Sequence, residues 1–272
     1  MAMPREDSAN MSRRIFAAQA TVGLAALAPL LTTSDEAKAA EKPMLGSSLQ
    51  GPGHVVCVGA HPDDPEEGCG GTLARYAELG HRVTNIYLTR GEAGIAGKSH
   101  EEAAAIRTAE AEAACKILGA KAVFAGQIDA ATELNSARAR SFQELLSVEA
   151  PDIVLTHWPI DVHPDHQVAA MLTIRAYLAC KRRFQLYFYE VCTGVETIGF
   201  YPSLYVDITA TREKKRQALF LHTGEKLERF YEKYDRFTEE FRGRESGVFV
   251  AEAFVAAARN LRSADSSTLP GL

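Results

Sequence analysis

Short apolar, β-branched runs alternate along the chain with longer stretches of helical period, and this alternation predicts an α/β fold. Strands are predicted at 55–60, 83–89, 122–125, 153–156, 186–191 and 204–208, all apolar enough for a sheet covered on both faces. Between them, the alanine-rich stretch 101–118 ends at Gly119 as a helix C-terminus does, and 141–148 and 167–180 predict two further helices. Beyond the last strand the chain becomes highly charged, with helices predicted at 211–220 and 225–242. Phe230, Tyr231, Tyr234, Phe237 and Phe241 recur there at spacings of three and four, more often the pattern of a helix face packed on the domain than of a sugar platform. No repeat, low-complexity tract or interdomain linker interrupts the pattern, so a single domain is expected.

Composition narrows the partners. With 272 residues, 46% of them hydrophobic, the chain is long enough for an ample core. A formal net charge of -5, with Lys181, Arg182 and Arg183 as one short basic run, argues against a nucleic-acid partner. The first residues read as an address: Arg13 and Arg14 precede the apolar stretch 17–31, and Ala37, Lys38 and Ala39 form a small-residue cleavage pattern. Residues 1–39 are therefore expected to be a cleaved export signal, with a retained N-terminal anchor as the alternative; Ser12 to Phe16 resembles the twin-arginine type, and Ala17 and Ala18 in place of its usual leucine and lysine leave the general secretory route open. The apolar stretch falls short of the roughly twenty residues that span a bilayer, so no stable membrane span is expected after cleavage and the mature protein is expected in a bacterial periplasm or outside the cell. Residues 40–53 then read as a flexible linker, 54–260 as the domain and 261–272 as a tail. Five cysteines, with Cys57 in a strand and Cys115 on a helix face, suggest buried thiols and no disulfide framework.

The chemistry gathers at two predicted strand ends. The apolar run 55–60 stops at His61, Pro62, Asp63 and Asp64; the run 153–156 passes through His157 and Asp161 into His163, Pro164, Asp165 and His166. Either motif alone would serve as a capped turn. Together, at the edge where open α/β sheets place their ligands, they point to one metal site. His61, Asp64 and His166 supply the three ligands of a catalytic zinc that keeps a position open for water. Asp63, beside a ligand but free of the metal, is the natural general base. His163 is placed to meet a developing oxyanion and a leaving amine, with Asp165 available to orient an imidazole. His54, His81, His100 and His222 lack such company and read as ordinary surface or core histidines.

These residues carry a resemblance. Ala60 to Asp64 followed by Gly70, Gly71 and Thr72, with the later run from Pro159 to His166, closely resembles the PIG-L, or LmbE-like, zinc-dependent N-deacetylases; Thr89 to Gly94, Arg107 with Glu110, Leu118 with Gly119, Asp129, Gly247, Glu252 and Phe254 extend it over nearly the whole mature chain. The resemblance implies a Rossmann-like three-layer sandwich with a mostly parallel sheet. It implies Zn2+, or another divalent ion such as Fe2+, on His61, Asp64 and His166, with Asp63 as base, His163 as electrophile or acid and Asp165 as its support. It also suggests that Arg107 and Asp129 contact polar groups of the substrate, a small molecule or glycan bearing an N-acetyl group, usually an N-acetylglucosamine unit attached to inositol or another group. Pro65 stands where the family commonly has glutamate, which bears on the loop and on substrate choice. Two other readings compete. The facial triad of Fe(II) oxygenases uses similar ligands, but the α/β alternation lacks the many strands of a jelly roll. A non-catalytic carbohydrate-binding protein of the cell envelope would need neither Asp63 nor His163.

Overall fold

A computed structural model describes residues 49, 51–180, 184–257 and 268–272. The expected export signal, most of the linker, the basic run at 181–183 and the start of the tail lie outside the described residues.

The elements follow in the order β1 (His54–Gly59), α1 (Asp64–Glu78), β2 (Arg82–Tyr87), α2 (His100–Leu118), β3 (Lys121–Phe124), α3 (Ser136–Glu149), β4 (Ile153–His157), α4 (Pro164–Ala179), β5 (Gln185–Tyr189), β6 (Leu204–Asp207), α5 (Arg212–Leu219), α6 (Leu227–Lys233), α7 (Asp235–Ser246) and β7 (Ala251–Ala256). The sheet runs β3-β2-β1-β4-β5-β7-β6. Its first five strands are parallel, and β7 runs antiparallel to both β5 and β6. Strand faces alternate as a two-residue period requires. Val55, Cys57, Ile153 and Leu155 face one core with Leu73 and Tyr76 of α1 and Leu118 of α2, whereas Val56, Val58 and Val154 face a second with Phe142 and Leu146 of α3 and Leu172 of α4. The result is the Rossmann-like three-layer sandwich. Strand order reverses between β1 and β4, so the crevice at their C-terminal ends is the switch point where such sheets bind ligands.

Three elements depart from the sequence expectation. No helix is predicted after Asp64, where the stretch around Pro65 reads as a loop, yet α1 forms there although Pro65, Gly68, Gly70 and Gly71 are poor helix formers. Packing overrides propensity there: a Cβ on Gly71 would stand 2.6 Å from Ile208, so only glycine lets α1 lie this close to the segment leading into α5. Pro65 sits in the first turn, where its missing N–H costs nothing. Strand β7 is a seventh that the sequence hides behind Glu252, whose carboxylate is turned inward to accept the N–H groups of Gly71 and Thr72 and to meet Lys215 Nζ at 2.9 Å. The stretch 225–242 is two helices that break at Tyr234. Tyr231 is buried and Phe230 and Tyr234 pack on the core, as expected of the aromatic stripe, but Phe237 and Phe241 face outward under Arg236 and Arg242.

All five cysteines are free, four of them buried. His54 is a core histidine, with Nδ1 2.7 Å from Glu149 O and Nε2 2.9 Å from Thr84 Oγ1. His222 is buried too, its Nε2 3.7 Å from Glu66 Oε2. Among the described residues no helix is long and apolar enough to cross a membrane.

Candidate active site and metal centre

The end of β1 delivers His61, and the turn after it delivers Asp63 and Asp64 at the start of α1. Asp63 is the N-cap and takes φ 120°, a region that non-glycine residues rarely occupy. Such strain persists only where surroundings over-determine it, and it concentrates at functional sites. The end of β4 delivers His157, and the loop beyond it delivers Asp161, His163 as N-cap of α4, then Asp165 and His166 in the first turn.

Asp64 is the hub. Its Oδ1 lies 3.3 Å from His166 Nε2, and its Oδ2 lies 3.5 Å from His61 Nδ1 and 2.7 Å from the His61 amide nitrogen. Each imidazole turns its other nitrogen to a carboxylate: His61 Nε2 is 3.2 Å from both Asp129 Oδ1 and Asp165 Oδ2, and His166 Nδ1 is 3.2 Å from Asp161 Oδ1. One nitrogen toward a shared point and the other on a carboxylate is how metal-ligating histidines are held. The donor atoms of His61, His163 and His166 lie within 4.8 Å of one another, as do those of Asp64, His157 and His166. The residues present therefore fit a divalent ion. Electrostatics agree. Burial disfavours charge here, yet Asp129, Asp165 and Asp64 raise the His61 pKa well above its ordinary value, and Asp64 and Asp161 push His166 up to about 10. Burial notwithstanding, His166 and His157 hold Asp64 well below the carboxylate range. The cluster is built for positive charge.

Asp63 stands outside this hub. Its Oδ2 accepts from Arg107 Nη2 at 2.8 Å; burial raises its pKa and Arg107 opposes the rise. Arg107 is only 2% exposed and is engaged also by Pro62 O and Glu225. Gly91, at φ +67°, makes room for it, since a Cβ there would fall on the guanidinium. Arg107 thus reaches the site as the partner of Asp63. Asp129 likewise serves His61, with its second oxygen accepting from Ala93 N and its backbone N–H held by Glu92. Both residues line the cavity; the terminal nitrogens of Arg107 and both carboxylate oxygens of Asp129 have partners within the protein, and Arg107 Nε has none.

His163 accepts from the Asp165 backbone N–H through Nδ1 at 3.2 Å, which leaves the proton of the neutral ring on Nε2. Burial, with His61 and His166 nearby, lowers its pKa, so the ring is a neutral donor. The Asp165 carboxylate goes elsewhere: to His61, the Ala130 amide and Thr132 Oγ1. The carboxylate paired with a histidine on this loop by sequence adjacency thus lies on the other strand's imidazole.

Sequence reasoning gave no role to His157, whose Nε2 is 3.1 Å from both Asp64 Oδ2 and the Ala60 amide nitrogen and whose ring stacks on His166 at 4.1 Å. Burial and His166 push it down to about 4, so it is a neutral brace for Asp64. Asp161 was likewise left without a role. Glu196, Glu225, Leu227 and Phe230 complete a cavity of about 380 Å³, the size of a small-ligand site.

Comparison with known proteins supplies the lineage. The family model described as PIG-L, GlcNAc-PI de-N-acetylase, matches residues 56–177. The chain is 32% identical over 216 residues to diacetylchitobiose deacetylase of Thermococcus kodakarensis, covering 73% of this chain and 80% of the relative. It is 28% identical over 171 residues to the uncharacterized deacetylase YaiS of Escherichia coli, covering 57% and 81%. In fold it is similar to N,N'-diacetylchitobiose deacetylase from Pyrococcus horikoshii, with a TM-score of 0.69 over 76% of this chain and 85% of that one at 24% identity. The first match spans both strand ends that carry the site, and the long relative extends the likeness well past it, so the chain belongs to the PIG-L family of de-N-acetylases.

Proposed function

We propose that this protein removes the acetyl group from an N-acetylglucosamine-type amino sugar or conjugate, with Zn2+ held by His61, Asp64 and His166. The observation that carries the reading is the hub itself: two imidazoles turn one nitrogen each to Asp64 and the other to a carboxylate, and a second aspartate stands beside them uncommitted to the cluster. Two imidazoles and one carboxylate with an open position suit zinc, and the same donors would also take Fe2+. Such an ion supplies a Lewis acid that polarises a carbonyl and makes water nucleophilic near neutral pH.

Asp63 takes the proton from the attacking water and, as the C–N bond breaks, hands it to the departing nitrogen, so that water and amide become acetate and free amine. Arg107 keeps Asp63 ionised and aimed. His163, its Nδ1 already accepting from Asp165 N–H, turns Nε2–H to the carbonyl oxygen as negative charge develops there. Asp165 and Asp129 hold the His61 ring, Asp161 holds His166, and His157 holds Asp64.

The test is acetate release from N-acetylated amino sugars by the purified protein, with metal analysis of the same sample. Mass spectrometry should find a product lighter by one acetyl group and an intact glycosidic bond, because glycoside cleavage canonically needs two carboxyl groups flanking the anomeric carbon. EDTA should abolish activity and zinc restore it. Release of intact N-acetylated monosaccharide from a disaccharide would overturn the reading.

A further inference from the structure

A second convergence of ligand atoms lies behind the catalytic hub. Glu67 stands one turn along α1, its N–H on Asp63 O at 2.8 Å, while Cys192 comes from the loop after β5 and Asp235 opens α7. One donor atom from each, a carboxylate oxygen of the two acids and Sγ of the cysteine, lies within 4.8 Å of the others. The side chains are buried, Asp235 at 5% exposed and Glu67 at 9%, and Glu67 Oε1 and Asp235 Oδ2 have no hydrogen-bond partner among the described residues. The cations beside them are committed elsewhere: Lys215 Nζ lies 2.9 Å from both Glu239 and Glu252, and Arg242 forks onto Glu190 with both contacts at 2.7 Å. Glu67, Cys192 and Asp235 also line a cavity of about 30 Å³, room for an ion or a water and too small for an organic ligand.

Two buried carboxylates side by side must be neutralised, by a proton held between them or by a cation. Burial, then repulsion from Asp235 and Glu196, drives the Glu67 pKa well above its ordinary value, and burial pushes Asp235 up to about 6. The sulfur favours the cation. A shared proton has no use for a thiol, whereas a thiolate beside two carboxylates is a donor set for zinc and too soft for magnesium or calcium. We propose that Glu67, Cys192 and Asp235 form a second zinc site, separate from His61, Asp64 and His166, with water as the fourth ligand. A tetrahedral zinc spaces its ligand atoms roughly 3.5 Å apart, so a set this close reaches one ion by small side-chain rotations. Binding sends the thiol proton, and any proton on the carboxylates, to solvent. The ion would clamp α7 and the loop after β5 to the first turns of α1, the helix that presents Asp63 and Asp64, and it would touch no substrate.

The experiment replaces zinc by Co2+ in the purified protein and reads metal content with the absorption spectrum. The wild type should bind two equivalents and show a sulfur-to-cobalt charge-transfer band, which the nitrogen and oxygen donors of the catalytic centre cannot give. Cys192→Ala should lose the band and one equivalent, and Asp235→Asn should lose the same equivalent. His166→Ala, which empties the catalytic centre, should keep the band, and added zinc should still raise its melting temperature by mass action; the double variant with Cys192→Ala should lose that response. A wild type that takes one equivalent, or a cobalt protein without the sulfur band, would overturn the proposal and leave Glu67 and Asp235 as a pair sharing a proton. A band that survives Cys192→Ala would put the ion on another thiol and overturn it as well. Neither result touches the deacetylase reading, which rests on the other cluster.

Discussion

Arg107→Met separates two accounts of a residue that the family resemblance assigns to substrate and the structure ties to Asp63. Methionine keeps much of the length and removes the charge, leaving the partly exposed Asp63 and Glu225 without the cation between them. Taking one partner from a fully buried ion pair costs about 3–5 kcal/mol; both carboxylates here keep some contact with water, so the cost is smaller, and the variant should melt somewhat earlier while still binding metal, since none of the hub distances involves Arg107. The sharper readout is pH. A general base must be ionised; burial and Asp64 raise the Asp63 pKa, and Arg107 is the largest influence against them. With the guanidinium gone, Asp63 stays protonated to higher pH, so the acid limb of kcat/KM should move up by roughly one to three pH units, the usual effect of one close opposite charge. Activity lost at lower pH should return in part above the displaced limb, and Arg107→Lys should displace it less. A variant with an unmoved acid limb and a raised KM would show that Arg107 contacts substrate, and the reasoning from its pairing would be wrong.

Further outcomes follow from the same geometry. Asp63→Asn should keep its metal while turnover falls by about two to four orders of magnitude, and His166→Ala should lose the metal; a metal-free or fully active Asp63→Asn would reverse the division of roles. His157→Phe preserves the stacking area on His166 but removes the nitrogen beside Asp64, so metal affinity measured by competition with a chelator should drop by about 10–100-fold, and unchanged affinity would show that the brace is idle. We also propose twin-arginine export for residues 1–39 on the strength of Arg13 and Arg14; replacing both with lysine should strand the precursor in the cytoplasm, and normal export of that variant on fractionation would refute the route.

The two ligand-bearing motifs were legible because strand ends are: an apolar run that stops at His and Asp has its polar residues at the sheet edge, and β1 and β4 are brought side by side by the parallel order. His157 could have been read by the same rule. Ile153 and Leu155 face the core that α1 covers, and a two-residue period puts His157 on that side, where Asp64 begins the helix. No such rule assigns Asp161 and Asp165. They sit four residues apart on one loop, and the start of α4 between them sends the first to His166 and the second across to His61. Glu196 and Glu225 were out of reach for a further reason: they come from the loop after β5 and the connection before α6, where no hydrophobic period exists and position is set by packing against distant residues such as Arg107. Metal chemistry here is anchored to strand ends, and the part of the wall that meets the rest of the substrate is carried largely by loops and by α6. A sequence of this architecture therefore discloses its reaction before its substrate.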